Sequence, residues 1–113
     1  MNIQIFGTKK CKDTQKAERF FKERRIQYHF RDLNEKGVTK GELENVKHAV
    51  SIDELFDKKS KQFKKRNLER MVYDPEEELL VDPLLFKTPI VRNGKLVTVG
   101  YMPEVWKDWI SSG

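Results

Sequence analysis

The chain has 113 residues, 37% of them hydrophobic and 36% charged, with a formal net charge of +5. That length suits one core rather than two, and apolar residues spread along the whole chain argue against wholesale disorder. No apolar run approaches the roughly 20 residues needed to cross a bilayer, so no membrane partner is expected. The positive charge permits attraction to anions, nucleic acid or an acidic protein surface without selecting among them. Met1-Asn2-Ile3-Gln4 lacks a basic segment followed by an apolar one, so no secretory leader is expected. A lone cysteine makes no internal disulfide, which points to a reducing cytosol.

Taken in order, Asn2–Phe6 alternates apolar and polar residues as a strand does, and Gly7 ends it. Thr8-Lys9-Lys10 forms a basic turn, and Cys11 stands where the next helix begins. That helix is expected from Asp13 or Thr14 to about Arg25, with Ala17, Phe20 and Phe21 on its apolar face. Ile26–Leu33 alternates again and reads as a second strand. Strand, helix and strand within about 30 residues make a βαβ unit with parallel strands and a right-handed crossover.

The middle, at about 36–84, reads as a helical insert in a single domain. Thr39-x-x-Glu42 and Ser51-x-x-Glu54 each match a capping box, so short helices are expected near 39–48 and 51–57. Lys58–Arg66 is the most basic stretch of the chain. It holds one aromatic residue, Phe63, and no nucleic-acid motif. An inward Phe63 beneath solvated lysines is expected, and direct nucleic-acid binding is not. Asp74-Pro75-Glu76-Glu77-Glu78 opens a further helix that should stop before Pro83. His29 and His48 lie apart and suggest no metal pair.

Strands return at the end. Pro89–Arg92, Asn93-Gly94 and Lys95–Val99 predict a hairpin with a type I′ turn, for which Asn-Gly supplies positive φ angles. Pro103-Glu104 then starts a last helix, whose Val105, Trp106, Trp109 and Ile110 should pack on the sheet.

Cys11 is the candidate chemical centre. A thiol at a helix start meets the helix dipole and free backbone N–H groups, and both favour the thiolate. Lys9, Lys10 and Lys12 add positive charge, opposed by Asp13. A free cysteine is often only a small core residue, but this polar, cationic turn points to a reactive thiol. Thr14, one turn along, either donates a hydrogen bond to the sulfur or caps the helix.

The order β-α-β, helical insert, β-β-α, with a cysteine after the first strand, resembles a thioredoxin-like α/β domain with a mixed four-stranded sheet. That resemblance implies a cis bond before Pro89, leaving backbone groups at Thr88 and Pro89 to pair with an extended thiol substrate. A narrower resemblance is carried by four segments. These are Ile5-Phe6-Gly7…Cys11-Lys12-Asp13-Thr14-Gln15-Lys16-Ala17, Lys58-Lys59-Ser60-Lys61-x-Phe63, Lys87-Thr88-Pro89-Ile90-Val91 and Val99-Gly100-Tyr101. Together they resemble the arsenate reductase-related (ArsC/Spx) family, which includes glutaredoxin-coupled arsenate reductases and Spx-type transcription regulators.

This resemblance implies a catalytic Cys11 with substrate-binding groups at Thr8, Lys12, Thr14, Lys59, Thr88 and Pro89. It implies no bound cofactor, but an external reductant such as glutathione, a glutaredoxin or another thiol. Lys9, Lys10, Lys12 and Lys59 would attract the carboxylates of a glutathione-like molecule. The reductases place oxyanion-binding arginines where this chain has Lys59, Thr88 and the Gly100-Tyr101 pair. Lysine offers a point charge and threonine no charge, in place of arginine's planar fork, which argues against arsenate as substrate. Spx-type regulators need a C-x-x-C switch, and Thr14 occupies its second position. The two expectations are therefore a monothiol, thiol-dependent reductase, and a protein-binding regulator without the switch whose partner would be RNA polymerase or another protein.

Overall fold

A computed structural model describes residues 1–112. The central strand, β1 (Ile3–Gly7), pairs in parallel with β2 (Tyr28–Asp32) and antiparallel with β3 (Ile90–Asn93). β4 (Leu96–Val99) extends the antiparallel side, giving the order β2-β1-β3-β4. This is the mixed four-stranded sheet of a thioredoxin-like fold.

Alternation along β1 sends neighbouring side chains to opposite faces. Ile3 and Ile5 join Ala17, Phe20 and Phe21 of α1 (Lys12–Glu23), Val91 of β3, and Trp106 and Trp109 of the last helix. Phe6 and Ile90 join the other cluster, with Leu43, Val46, Leu55, Phe63, Leu79 and Leu85 from the segment between β2 and β3. Helices therefore cover both faces. The segment between β2 and β3 carries α2 (Lys40–Lys47), α3 (Ile52–Leu55), α4 (Lys61–Lys65) and α5 (Pro75–Val81), and α6 spans Pro103–Ser112.

Local chemistry accounts for the element ends. α1 stops at a Schellman turn without glycine. Arg25 takes the left-handed φ of 57°. Its N–H bonds Lys22 O at 3.0 Å, and Ile26 N–H bonds Phe21 O at 3.0 Å. Ile26 then packs against the α1/α6 cluster, so burial of this residue offsets the strain at Arg25. Thr39 and Glu42 form the full reciprocal capping box. Ser51 makes only half of one: its hydroxyl accepts from Glu54 N–H at 3.2 Å. The Glu54 carboxylate is engaged by the same Ser51 hydroxyl, at 3.4 Å, instead of by the backbone.

Two features differ from the sequence reading. The basic run contains α4, started by Ser60, whose hydroxyl accepts from Phe63 N–H at 3.1 Å. Its expected inward residue, Phe63, is buried, with an edge-on contact to Phe56. In the hairpin, Asn93 still belongs to β3 and pairs with Leu96, so the turn residues are Gly94 and Lys95. Of those two only Gly94 has positive φ, at 59°. The turn thus has the II′ pattern, with glycine at its first central position, and not the I′ pattern.

Candidate functional site

The end of β1 and the start of β3 lie side by side, because Phe6 pairs with Ile90. This register brings the turn after β1 against the chain entering β3. Cys11 N–H bonds Thr8 O at 3.2 Å, closing that turn, and Cys11 then occupies the N-cap of α1. No side chain caps the helix in the usual way. Opposite the sulfur stands Thr88, joined to Pro89 by a cis peptide bond. Thr88 Oγ1 donates to Cys11 Sγ at 3.1 Å, and Thr88 O is the 3.7 Å acceptor of the thiol.

Burial of Cys11 works against its ionisation. Hydrogen bonds from the Thr14 and Thr88 hydroxyls, and from the backbone N–H groups of Thr14 and Asp13, outweigh it. The thiol pKa therefore lies below its ordinary value. Thr14 is wholly buried, and its hydroxyl has no hydrogen bond of good geometry to any described residue. Ionised sulfur supplies the missing acceptor, so the site is organised for the thiolate more than for the thiol. Gly7 makes this close approach possible. A Cβ there would fall 2.6 Å from Thr14 Cγ2 and closer still to its Oγ1.

The sulfur opens on a cleft of about 520 Å³. Thr8 and Lys10 contribute from the turn, Asn34 from the end of β2, and Ser60, Lys61 and Gln62 from the start of α4. Asp57 also lines it, while Pro83, Leu84 and Phe86 give one apolar side. Its cations are Lys10 and Lys61; no arginine lines it. Arg66, in the same basic run as Lys61, is committed elsewhere, bonded to Glu78 at 2.6 Å and Asp82 at 3.2 Å.

Cys11, Thr8 and Thr88 thus share the cleft, and Thr14 lies behind the sulfur. Pro89 is buried at the entry to β3, its carbonyl accepting from Gly100 N–H at 2.8 Å. Lys12 is exposed on the first turn of α1 and does not line the cleft. Lys59 is not brought to it either. Its side chain borders a separate depression with Asp53, Lys58 and Lys87, and its N–H bonds Asp57 Oδ1 at 3.0 Å. Caps explain the difference. With Ser60 as N-cap, Lys61 and Gln62 are the first helical residues and turn toward the cysteine, leaving Lys59 outside. The serine three residues before Phe63 is the signal in the sequence that could have identified them. Asn34 carries no comparable signal.

A cysteine between the first strand and first helix, facing a cis proline across a β-α-β/β-β-α core, defines a thioredoxin-like thiol protein. Comparison with known proteins narrows the class. The ArsC family model matches residues 6–109, and the chain belongs to that family. The regulatory protein MgsR of Bacillus subtilis is 28% identical over 106 residues, covering 89% of this chain and 84% of MgsR. An ArsC family related protein from Bacteroides fragilis superposes with a TM-score of 0.77 at 25% identity, over 96% of this chain and 98% of that one. The arsenate reductase from Vibrio cholerae superposes with a TM-score of 0.79 at 18% identity, over 96% and 97% of the two chains, and shares the fold. The matches thus include a regulatory protein over most of its length and, at the level of fold alone, an arsenate reductase. No helix among the described residues is long and apolar enough to cross a membrane.

Proposed function

We propose that this ArsC-family protein is a one-thiol oxidoreductase that uses Cys11 in a reducing, cytosolic setting. The Cys11 thiolate attacks one sulfur of a disulfide R–S–S–R′, forming Cys11–S–S–R and releasing R′S⁻. An external thiolate, from glutathione, a glutaredoxin or another cellular thiol, then attacks the R sulfur. It takes R as a new disulfide and returns Cys11 as thiolate. Thr88 and Thr14 hydroxyls stabilise the anion at the start and end of the cycle, and the Thr88 backbone docks the extended partner, the Pro89 carbonyl being held by Gly100 N–H. Lys10 and Lys61 attract the carboxylates of a glutathione-like molecule.

The observation that carries this reading is the 3.1 Å hydrogen bond from Thr88 Oγ1 to Cys11 Sγ, at a sulfur with lowered pKa opening on a cleft. It also weighs against arsenate, since the group beside the sulfur is a neutral hydroxyl and the cleft lacks an arginine fork. The test is a coupled reductase assay of wild type and Cys11→Ser. We expect Cys11-dependent turnover of a glutathione mixed disulfide and little with arsenate. Efficient arsenate reduction would overturn the substrate assignment, and turnover unaffected by Cys11→Ser would overturn the mechanism.

A second reading, a protein-binding regulator without the C-x-x-C switch, is supported by the similarity to a regulatory protein over most of both chains. Its distinguishing result is recovery of RNA polymerase from lysate by wild type and Cys11→Ser alike, with no mixed-disulfide turnover.

A further inference from the structure

Three arginines are half-buried among the described residues: Arg31, Arg66 and Arg92. The first two are neutralised. Arg31 makes two hydrogen bonds of 3.0 Å to the Glu42 carboxylate, and Arg66 holds Glu78 and Asp82. Arg92 has no carboxylate partner among the described residues. Its one side-chain hydrogen bond is a long 3.4 Å contact to Gln4 Oε1, and its Nε is buried without an acceptor. A half-buried guanidinium left in this state is costly, because desolvation removes water without supplying an anion.

The surroundings of Arg92 supply a place for one. It sits on β3 beyond Ile90, toward the end of the strand away from Thr88, and pairs with Gln4 and Val97. With Asn45 and His48 at the end of α2 and Gly94 and Lys95 of the hairpin turn, it lines a cavity of about 530 Å³. None of these lining residues is acidic. A planar guanidinium fork, an ammonium, a carboxamide and an imidazole N–H form a donor set suited to an oxyanion. Two full charges match a phosphate monoester, which carries about −1.5 to −2 near neutral pH, better than a single carboxylate. The volume is in the range of small-molecule sites, with room for an organic group beyond the phosphoryl oxygens.

We infer that the cavity between α2 and the β3–β4 turn is a binding site for a small phosphate ester, held by Arg92 and Lys95. The site is separate from Cys11 and does not depend on the thiol reading. The test is an amide NMR titration of the full chain, at constant ionic strength, with inorganic phosphate and with ribose 5-phosphate. Saturating shifts are expected at His48, Gly94 and Lys95, with ribose 5-phosphate binding tighter than phosphate. Lys95→Gln, at an exposed turn that tolerates substitution, should weaken binding about tenfold, the loss expected for one charged hydrogen bond. Arg92→Lys should weaken it too, by removing the fork while keeping the charge. Cys11→Ser should bind unchanged. Shifts that fail to saturate, or an affinity unaltered by Lys95→Gln, would overturn the site. Equal affinity for phosphate and ribose 5-phosphate would overturn the ester assignment.

Discussion

Thr88 Oγ1 donates to Cys11 Sγ at 3.1 Å, a contact between residues 77 positions apart in the chain. β-sheet register creates it: β1 delivers the cysteine turn, β3 begins just after Thr88, and Phe6 pairs with Ile90 beside both. A hydrogen bond that stabilises sulfur as an anion is a charge-assisted one, stronger than its neutral counterpart.

Thr88→Val should therefore slow alkylation of Cys11 by iodoacetamide at pH 7 by roughly three- to tenfold, through a smaller thiolate fraction. Wild type should react faster at that pH than free cysteine, and Thr88→Ser should keep most of the wild-type rate. A pH–rate series separates this effect from simple steric change. Thr88→Val must recover the wild-type rate at high pH, where both sulfurs are ionised. A rate depressed equally at all pH values would show that the hydroxyl does not set the ionisation.

Close packing of Gly7 on Thr14 leads to a second expectation. Gly7→Ala should destabilise the fold by about 1–3 kcal/mol, because the new methyl meets Thr14 Cγ2 at 2.6 Å inside a wholly buried site. Urea unfolding measures it as a lower midpoint at unchanged slope. Adding Thr14→Ala removes both offending atoms and leaves only Cβ, at 3.1 Å, so the double variant should regain part of the loss. It should still react slowly with iodoacetamide, since the Thr14 hydroxyl is gone.

Much of this site is legible from local signals. The strand ending at Gly7, the cysteine at a helix start and the proline opening a strand all leave a mark within a few residues. The cis bond at Thr88–Pro89 is accessible only through the resemblance to a thioredoxin-like domain. What the local pattern conceals is the wall that the insert supplies. Lys61 and Gln62 read as part of a uniform basic run, because charge dominates that stretch and Phe63 alone marks its buried side. Their place in the cleft depends on α4 packing beneath the loop at Pro83–Phe86, a relation set by the second core cluster. Likewise Asn93-Gly94 has the composition of a I′ turn, yet pairing of Asn93 with Leu96 shifts the turn by one residue. Register across the sheet overrode the dipeptide preference.

Trp106 Nε1 donates to Thr98 Oγ1 at 2.8 Å, joining α6 to β4 inside the core. Thr98→Val keeps the shape and leaves the indole N–H without an acceptor. The expected cost is about 1–3 kcal/mol, that of an unsatisfied buried donor. Urea unfolding should show that loss while Cys11 alkylation stays at the wild-type rate, because neither Trp106 nor Thr98 hydrogen-bonds the sulfur or lines its cleft. Loss of stability below a few tenths of a kcal/mol would mean that the indole finds another partner.

The last expectation concerns acid. Burial raises the Glu42 carboxyl pKa, but the Arg31 guanidinium and the Thr39 N–H and hydroxyl contacts outweigh it and hold it below the ordinary value. A carboxylate whose pKa is depressed on folding stabilises the native state above its unfolded pKa, near 4.3 for glutamate. That contribution declines as pH falls through the lower folded pKa and is absent once the group is protonated in both states. Glu42→Gln should accordingly lower stability by about 1–2 kcal/mol at pH 7, a range set by a partly exposed, two-point ion pair. Wild type and variant should converge in urea midpoint on acidification below pH 4.3. The difference is largest where Glu42 is ionised in both states, so a gap that widened toward low pH would contradict the assigned role of the pair. Arg31 also donates to Gly37 O at 3.0 Å, which fixes the turn leading from β2 into α2. Arg31→Met should therefore cost more than Glu42→Gln at pH 7 and retain part of its deficit at low pH, where the carboxylate no longer contributes.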